Sequence, residues 1–420
     1  MIPLLLACRA DMDGTGSADP YADCDLTDTS DCDGDGSLGA DDCDDHEPEA
    51  VPGHEETDAD GVDNDCDGRT DEAVVCETGG DFASIQEGIA GTPDGGTLEL
   101  CPGTYAEPIL ADGRALTIEG GGAEPGEVVI EATGFDTVVS AMGEGSDLTV
   151  RNLAVTSEAT IVVLAESAFI LEDAEVCSAT QVFFYFYPNG EDSAASLLRT
   201  RTCAWTALNL SGEGEPSSTM DVAENRFSGG LSVFDDGEGT LNIRNNLIQG
   251  NLLVRLWGEG DASLTFHNNT VSEASEAVFQ TFRADSEPTW HGNVEVYNNI
   301  VTGSGSGDWA LTLERFWYAP VDCTDLYPSI LGPDIAWGFS GLHARCLAAD
   351  DYDTREADIS ELLIAIAEED PLLTNTWWLG AGSAATDAGL GMDSDGSPAD
   401  LGAFGGEHGD WWKEVSWLND

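Results

Sequence analysis

The chain is 420 residues long and carries 14 basic against 81 acidic residues, a formal net charge of −67, with Lys413 as its sole lysine. That charge repels phosphate, which argues against nucleic acid and anionic lipid head groups as partners and makes divalent cations the expected counter-ions. The length allows a sizeable core, and the 11 cysteines leave an even ten once Cys8 is set aside.

At the start, Leu5-Leu6-Ala7-Cys8 resembles the lipobox of bacterial lipoproteins. The resemblance implies lipidation of Cys8, export, and membrane contact only through acyl chains. The apolar run before Cys8 is short and lacks the basic start of an export signal, so a start further upstream is expected. No later stretch is long and apolar enough to span a bilayer. Export in turn makes disulfides the natural use of the cysteines. Pairing neighbours along the chain gives Cys24 with Cys32, Cys43 with Cys66, Cys76 with Cys101, Cys177 with Cys203 and Cys323 with Cys346, a connectivity that sequence leaves open. The expected division is a signal remnant at 1–8, an acidic module at 9–75, a coil at 76–406 and a Trp-rich tail at 407–420.

Between Asp11 and Glu72 apolar residues are scarce, so a hydrophobic core cannot organise the segment alone. Asp31, Asp33, Asp35, Gly36, Ser37 and Asp42 have the spacing of a twelve-residue calcium loop, in which alternate side chains turn toward one hard cation and the glycine makes the bend. The flanking helices of an EF-hand are missing. Asp44 follows, and a second alternating cluster comprises Asp60, Asp63, Asp65, Asp67 and Asp71. Asp33-Gly-Asp35-Gly36, Asp42-Cys43-Asp44-Asp45, Pro52-Gly53 and Asp60-Gly61-Val62-Asp63-Asn64-Asp65-Cys66-Asp67-Gly68 closely resemble a metal-binding module of bacterial surface proteins. The expected cofactor is Ca2+. His46 and His54 keep a softer ion, copper, as the rival.

Phe82, Ile85 and Ile89 share a helical face, with Asp81 expected as the N-cap and Gly91 just past the end. Strand and turn phrases follow at Thr97–Tyr105 and Ala115–Gly121. Together they resemble the opening of pectate-lyase-like right-handed β-helix proteins, in which a capping helix runs into the first coil.

The middle of the chain repeats one phrase. Its second apolar residue falls at 150, 171, 198, 222, 243, 266 and 296, a period of twenty to thirty residues that signals a solenoid. Each phrase alternates apolar and polar residues and then turns at an asparagine-rich step, so one face is buried and the turn takes the left-handed conformation. Asn245, Asn268 and Asn298 are expected to line up as a side-chain ladder. The fold class is therefore all-β, a right-handed parallel β-helix of roughly ten coils preceded by a calcium-loop module.

Within the repeat, Phe184, Tyr185, Phe186 and Tyr187 form a run that must expose one aromatic stripe, suited to stacking on sugar rings. Arg199, Arg201, Arg244 and Arg255 fall on different coils, and Asp235, Asp236 and His267 are the nearest approach to a glycosidase set. The glycine-histidine-glycine and basic clamp motifs of the pectin-degrading relatives are absent. After Val301 the period is lost, a helical pattern occupies Ile359–Ile366, and Trp377, Trp378, Trp411, Trp412 and Trp417 are expected to cover the last coil. Gly380 to Gly389 with Asp393 to Gly405 resembles the terminal phrase of secreted bacterial β-helix proteins, with Asp393 and Asp395 in a plain turn. The function expected is a monomeric, lipid-anchored calcium-binding surface protein whose rod presents a face to a glycan or a surface-protein ligand. A polysaccharide lyase or glycoside hydrolase, and a copper-binding surface protein, are the alternatives.

Overall fold

A computed structural model describes residues 33–37, 43–44, 46–52, 62–64, 66, 73–77, 80–188, 193–211, 218–235, 239–257, 263–275, 277–282, 293–304, 311–316, 330–332, 334–339, 344–349, 354–358, 366–367, 370–413 and 417. The chain divides into two compact units, 1–72 and 73–420.

The second unit is a β-solenoid with three eleven-stranded walls. The first sheet opens with Ala73–Val75 and then takes Thr97–Leu100, Ala115–Gly120, Asp147–Arg151, Ala168–Glu172, Ala194–Leu198, Thr219–Ala223, Thr240–Arg244, Ser263–His267, Val294–Tyr297 and Ile330–Leu331. Counting from Thr97–Leu100, these strands begin coils 1 to 10, each of which continues through one strand of the second sheet and one of the third. Among the described strands of the three sheets all pairings are parallel except at one edge of the third, where Thr354–Asp358 runs antiparallel to Ala344–Ala349. Alternation does what the sequence implies. In Thr240–Arg244, Leu241 and Ile243 are buried while Asn242 and Arg244 face outward. One continuous apolar column results, from Ala73 to Val296, with Phe186, Phe227 and Phe266 among its largest fully buried side chains. Each such burial contributes about 2 kcal/mol.

Two expectations about the coil are corrected first. In coil 5 the residue stacked between Leu171 and Val222 is Leu197, whereas Leu198 pairs with Glu172 on the outer face. Two adjacent leucines make that one-residue slip invisible in sequence, yet it decides which side chain enters the core. The solenoid also does not stop at Val301, because coil 9 finishes with Leu311–Phe316 and coil 10 runs through Ile330–Leu331, Asp334–Trp337 and Ala344–Ala349. The step lengthens to 35 residues between the register partners Val296 and Leu331, and this dilutes the period. Of the helical pattern at 359–366, only Ile366 is described, and it starts the strand Ile366–Ala367.

The capping helix covers Ile85–Gly91, with Ile85 and Ile89 buried. Its N-cap is Ser84, whose Oγ accepts the Glu87 N–H at 3.2 Å. Asp81 accepts instead from Val74 N at 2.9 Å, bonding the chain to the edge strand. Gly91 is the last helical residue and makes room for the Phe82 ring, which a Cβ there would meet at 2.3 Å. The Tyr105 hydroxyl donates to the Val75 and Cys101 carbonyls at 2.9 and 2.8 Å, tying the Pro-Gly-x-Tyr turn to the same end.

The asparagine ladder shifts by one residue. Asn245, Asn268 and Asn298 take positive φ of 54°, 53° and 60°, as do Asn152, Asp173, Arg199 and Glu224 at equivalent corners. They supply the left-handed turn. The ladder inside the wall is built by the next residue, Asn225, Asn246, Asn269 and Asn299. The Oδ1 atoms of Asn246, Asn269 and Asn299 each accept both the backbone N–H and the Nδ2 of the asparagine one coil earlier, at 2.9 to 3.2 Å, and Asn225 Oδ1 accepts from Thr200 N at 2.8 Å. Both amide ends are satisfied in a site shielded from solvent, as buried polar groups require.

Residues 370–413 fold back along the corner between the first and second sheets. Asn298 Nδ2 donates to the Leu390 carbonyl at 2.8 Å, its Oδ1 accepts from Leu390 N at 2.7 Å, and Asn245 Nδ2 reaches Ala403 and Gly405 carbonyls at 3.0 and 2.8 Å. Trp411 packs with Leu247 and Ala403, and Arg226 lies 5.0 Å below the Trp377 ring. These tryptophans therefore cover coils 6 and 7 instead of the last coil. The turn nature of Asp393 and Asp395 holds: Asp393 N donates to Ser397 O, and Asp395 Oδ1 accepts from Ser397 N at 2.9 Å.

Candidate functional site: an acidic loop and two faces of the coil

In the first unit, Gly34 and Gly36 take φ of 89° and 104°, the conformation that lets the chain double back between Asp33 and Ser37. Asp33 Oδ1 accepts from Asp35 N at 3.2 Å, and Asp35 Oδ1 accepts from Ser37 N at 2.6 Å. The second oxygens, Asp33 Oδ2 and Asp35 Oδ2, are shielded from solvent and have no partner. An orphaned carboxylate oxygen removed from water is costly unless a cation meets it. Two of them on alternate residues of one tight loop suit a hard, oxygen-seeking ion.

Cys43 and Cys66 are joined, Asn64 Nδ2 donates to Glu49 O at 3.1 Å, and Val51 N donates to Asn64 O at 2.8 Å. Asp44 lies 3.7 Å from His46, both well exposed. Asp63 is half-buried. The remaining expected ligands, Asp31, Asp42, Asp60, Asp65, Asp67 and Asp71, lie outside the described residues, as do Cys8, Cys24, Cys32, Cys323, His54 and the side chain of Cys346.

On the coil, Cys76–Cys101 and Cys177–Cys203 are bonded as expected. Glu175 Oε1 stands 3.1 Å from Cys177 Sγ and 3.8 Å from Cys203 Sγ. This trio has the donor types of a metal site, but its two sulfurs bond each other and so offer no thiolate.

The scattered arginines are brought together by the register. Arg199 of coil 5 pairs with Glu172 and with Asp173 at 2.7 Å, and approaches Glu224 at 3.8 Å. From coil 7, Arg244 reaches the same Glu224 at 3.5 Å and Asp221 at 3.2 Å. Burial raises the Glu224 carboxyl above its ordinary range, with Arg244 and Arg199 pulling the other way. His267 stacks on Tyr297 at 4.9 Å, and burial lowers its pKa. Both arginines are spent on carboxylates, so the cluster is an ion-pair ladder up the corner. Asp235 and His267 do not meet, since they stand in the third and first sheets.

The aromatic run splits by parity. Phe184 and Phe186 are 3 % and 2 % exposed and belong to the core. Phe183, Tyr185 and Tyr187 face outward in a parallel row, ring centroids 5.8 and 6.1 Å apart. Strand register extends the row sideways. Val162 and Leu164 lie beside Phe183 and Tyr185 in coil 3, and Trp205, Ala207 and Asn209 lie beside Gln181, Phe183 and Tyr185 in coil 5. Ala207 continues to Ser232 and Asn209 to Phe234, over whose ring Arg255 sits at 5.4 Å. Across these coils the outer face of the third sheet is thus an aromatic strip interspersed with uncharged polar residues, with Arg255 at its edge. Trp205 and Phe234 were hidden in sequence because only register puts them on the same face as Tyr185.

Comparison with known proteins adds one finding. The family model Cu-binding_MopE, a metal-binding motif, matches residues 42–72. Neither curated proteins nor solved structures give a match. The chain therefore carries a metal-binding motif of the MopE type beside a β-solenoid.

Proposed function

We propose that the protein is an exported, lipid-anchored surface protein, attached through Cys8, in which calcium organises the acidic unit and the coil presents its third-sheet face to a neutral glycan. The observation that carries the metal assignment is the pair of shielded, partnerless oxygens Asp33 Oδ2 and Asp35 Oδ2. Bound there, calcium would neutralise the loop and supply folding energy to a unit poor in apolar residues. Asp33 and Asp35 would hold it, with Asp31 and Asp42 completing the loop and the second cluster, Asp60 to Asp71, offering a further site. All-oxygen donors favour calcium over copper. The aromatic strip supports the glycan reading, because ring faces stack on pyranose rings without needing charge.

Calorimetric titration of calcium into chelated full-length protein tests the first half. Binding that weakens at least tenfold in Asp33→Asn/Asp35→Asn supports it, and tighter binding of copper that ignores both substitutions would overturn it. For the second half, a panel of neutral oligosaccharides is titrated against wild type and Tyr185→Ala. Loss of binding in the variant is expected, and no binding to either protein sinks the glycan reading.

A further inference from the structure

We propose that at mildly acidic pH Asp334 is carried in the folded coil as a neutral acid whose Oδ2–H donates to the Val296 carbonyl, so that a proton latches the C-terminal end of the asparagine ladder. The argument is positional. Register places Asp334 one coil beyond Asn299, in the column of Asn225, Asn246, Asn269 and Asn299. Its Oδ1 does what each asparagine Oδ1 does, accepting Asn299 N at 2.7 Å and Asn299 Nδ2 at 3.0 Å.

The other half of the side chain decides the matter. Every ladder Nδ2 donates to the carbonyl of the first-sheet strand one coil earlier: Asn225 to Leu197, Asn246 to Val222, Asn269 to Ile243 and Asn299 to Phe266, at 2.8 to 3.1 Å. Val296 is the next member, being in register with Leu331. At the Nδ2 position Asp334 has Oδ2, shielded from solvent and without a partner. Ionised, that oxygen would set a full charge against a carbonyl oxygen. Protonated, it reproduces the asparagine donor.

Among the described residues, the groups facing Asp334 are the Asn299 amide, the Gly332 N–H and the backbone of Ile366, none of which titrates. Burial accordingly raises the carboxyl from 3.8 to about 6, against the pull of those N–H donors. With a raised value, the stability it contributes is complete below the unfolded pKa and is lost as pH rises through the folded one.

The test is thermal melting of the full chain, wild type and Asp334→Asn, in saturating calcium from about pH 3.5 to about pH 8. The expected result is near-equal melting at the acid end and a gain for the variant that opens through the titration and then levels. A pH-independent difference, a less stable variant, or failure of the variant to fold would each overturn the proposal, since an amide should fit this place better than an acid. Infrared difference spectra of wild type minus variant give an independent readout. A buried carboxylic acid band at the acid end that fades toward the alkaline end is required, and its absence would also overturn the latch.

Discussion

Asn268 and Asn269 are adjacent in sequence and serve opposite sides of the same wall. Asn268 takes φ 53° and turns its amide to the folded-back segment, donating to the Asp400 carbonyl at 3.3 Å, while Asn269 is fully buried and bonded to Asn246 and Asn299. One residue makes the turn and the other fills the ladder.

Substitution separates the two roles. Asn269→Ala strands the Asn246 N–H and Nδ2 and the Ile243 carbonyl, and should cost at least about 3 kcal/mol at one to three per orphaned group. Asn268→Gly keeps the left-handed turn and should cost no more than about 1 kcal/mol. Denaturant unfolding of both variants checks the order.

Arg199 holds three carboxylates, Glu172, Asp173 and Glu224. Arg199→Ala leaves them facing one another, an expected loss of about 2–4 kcal/mol, as for a broken part-buried pair. Salt near 1 M should recover part of it, because screening then acts within about 3 Å. Melting curves at low and high salt would show this, and a salt-independent loss would assign the effect to packing.

His267 is held below its ordinary pKa by burial. The neutral ring is therefore favoured in the fold, and stability should fall as pH drops below about 6.5, where the unfolded chain takes up the proton first. His267→Gln should flatten that limb of the stability profile, measured by chemical denaturation across pH.

The folded-back segment should detach without unravelling the coil. Trp411 is 4 % exposed and packs with Leu247 and Ala403. Trp411→Ala should cost the docked segment about 3–5 kcal/mol. Faster limited proteolysis between residues 370 and 413, with the far-ultraviolet β signal retained, is the expected pattern.

Chelation should act on the acidic unit alone. At a calcium concentration of 100 times Kd the ion contributes about 2.7 kcal/mol, so its removal should lower or abolish a first melting step. The step belonging to residues 73–420 should stay in place, and scanning calorimetry distinguishes the two.

The solenoid was legible in sequence because alternating phrases such as Leu264-Thr-Phe266 recur, and burying one face per turn leaves few alternatives to stacking. The same regularity concealed the register. Leu197 and Leu198 are equally apolar, and Asn268 and Asn269 are the same residue type, so composition could not say which member points inward. Alignment with neighbouring coils settles it, since a one-residue slip would drive a polar face into the core.

The acidic unit shows the reverse balance. Sequence alone carried its metal-binding motif, because aspartates, glycines and cysteines at fixed spacing are recognisable whatever surrounds them. It also determined that residues 73–420 bury an apolar face once per turn. Only the tertiary structure decided what stands side by side: Arg199 with Glu224, Tyr185 with Phe183 and Asn209, and Asp334 at the end of the asparagine column. The reason is physical. Local pattern fixes which side of a strand a residue occupies, but its neighbours one coil away are set by loop lengths that carry no signal of their own.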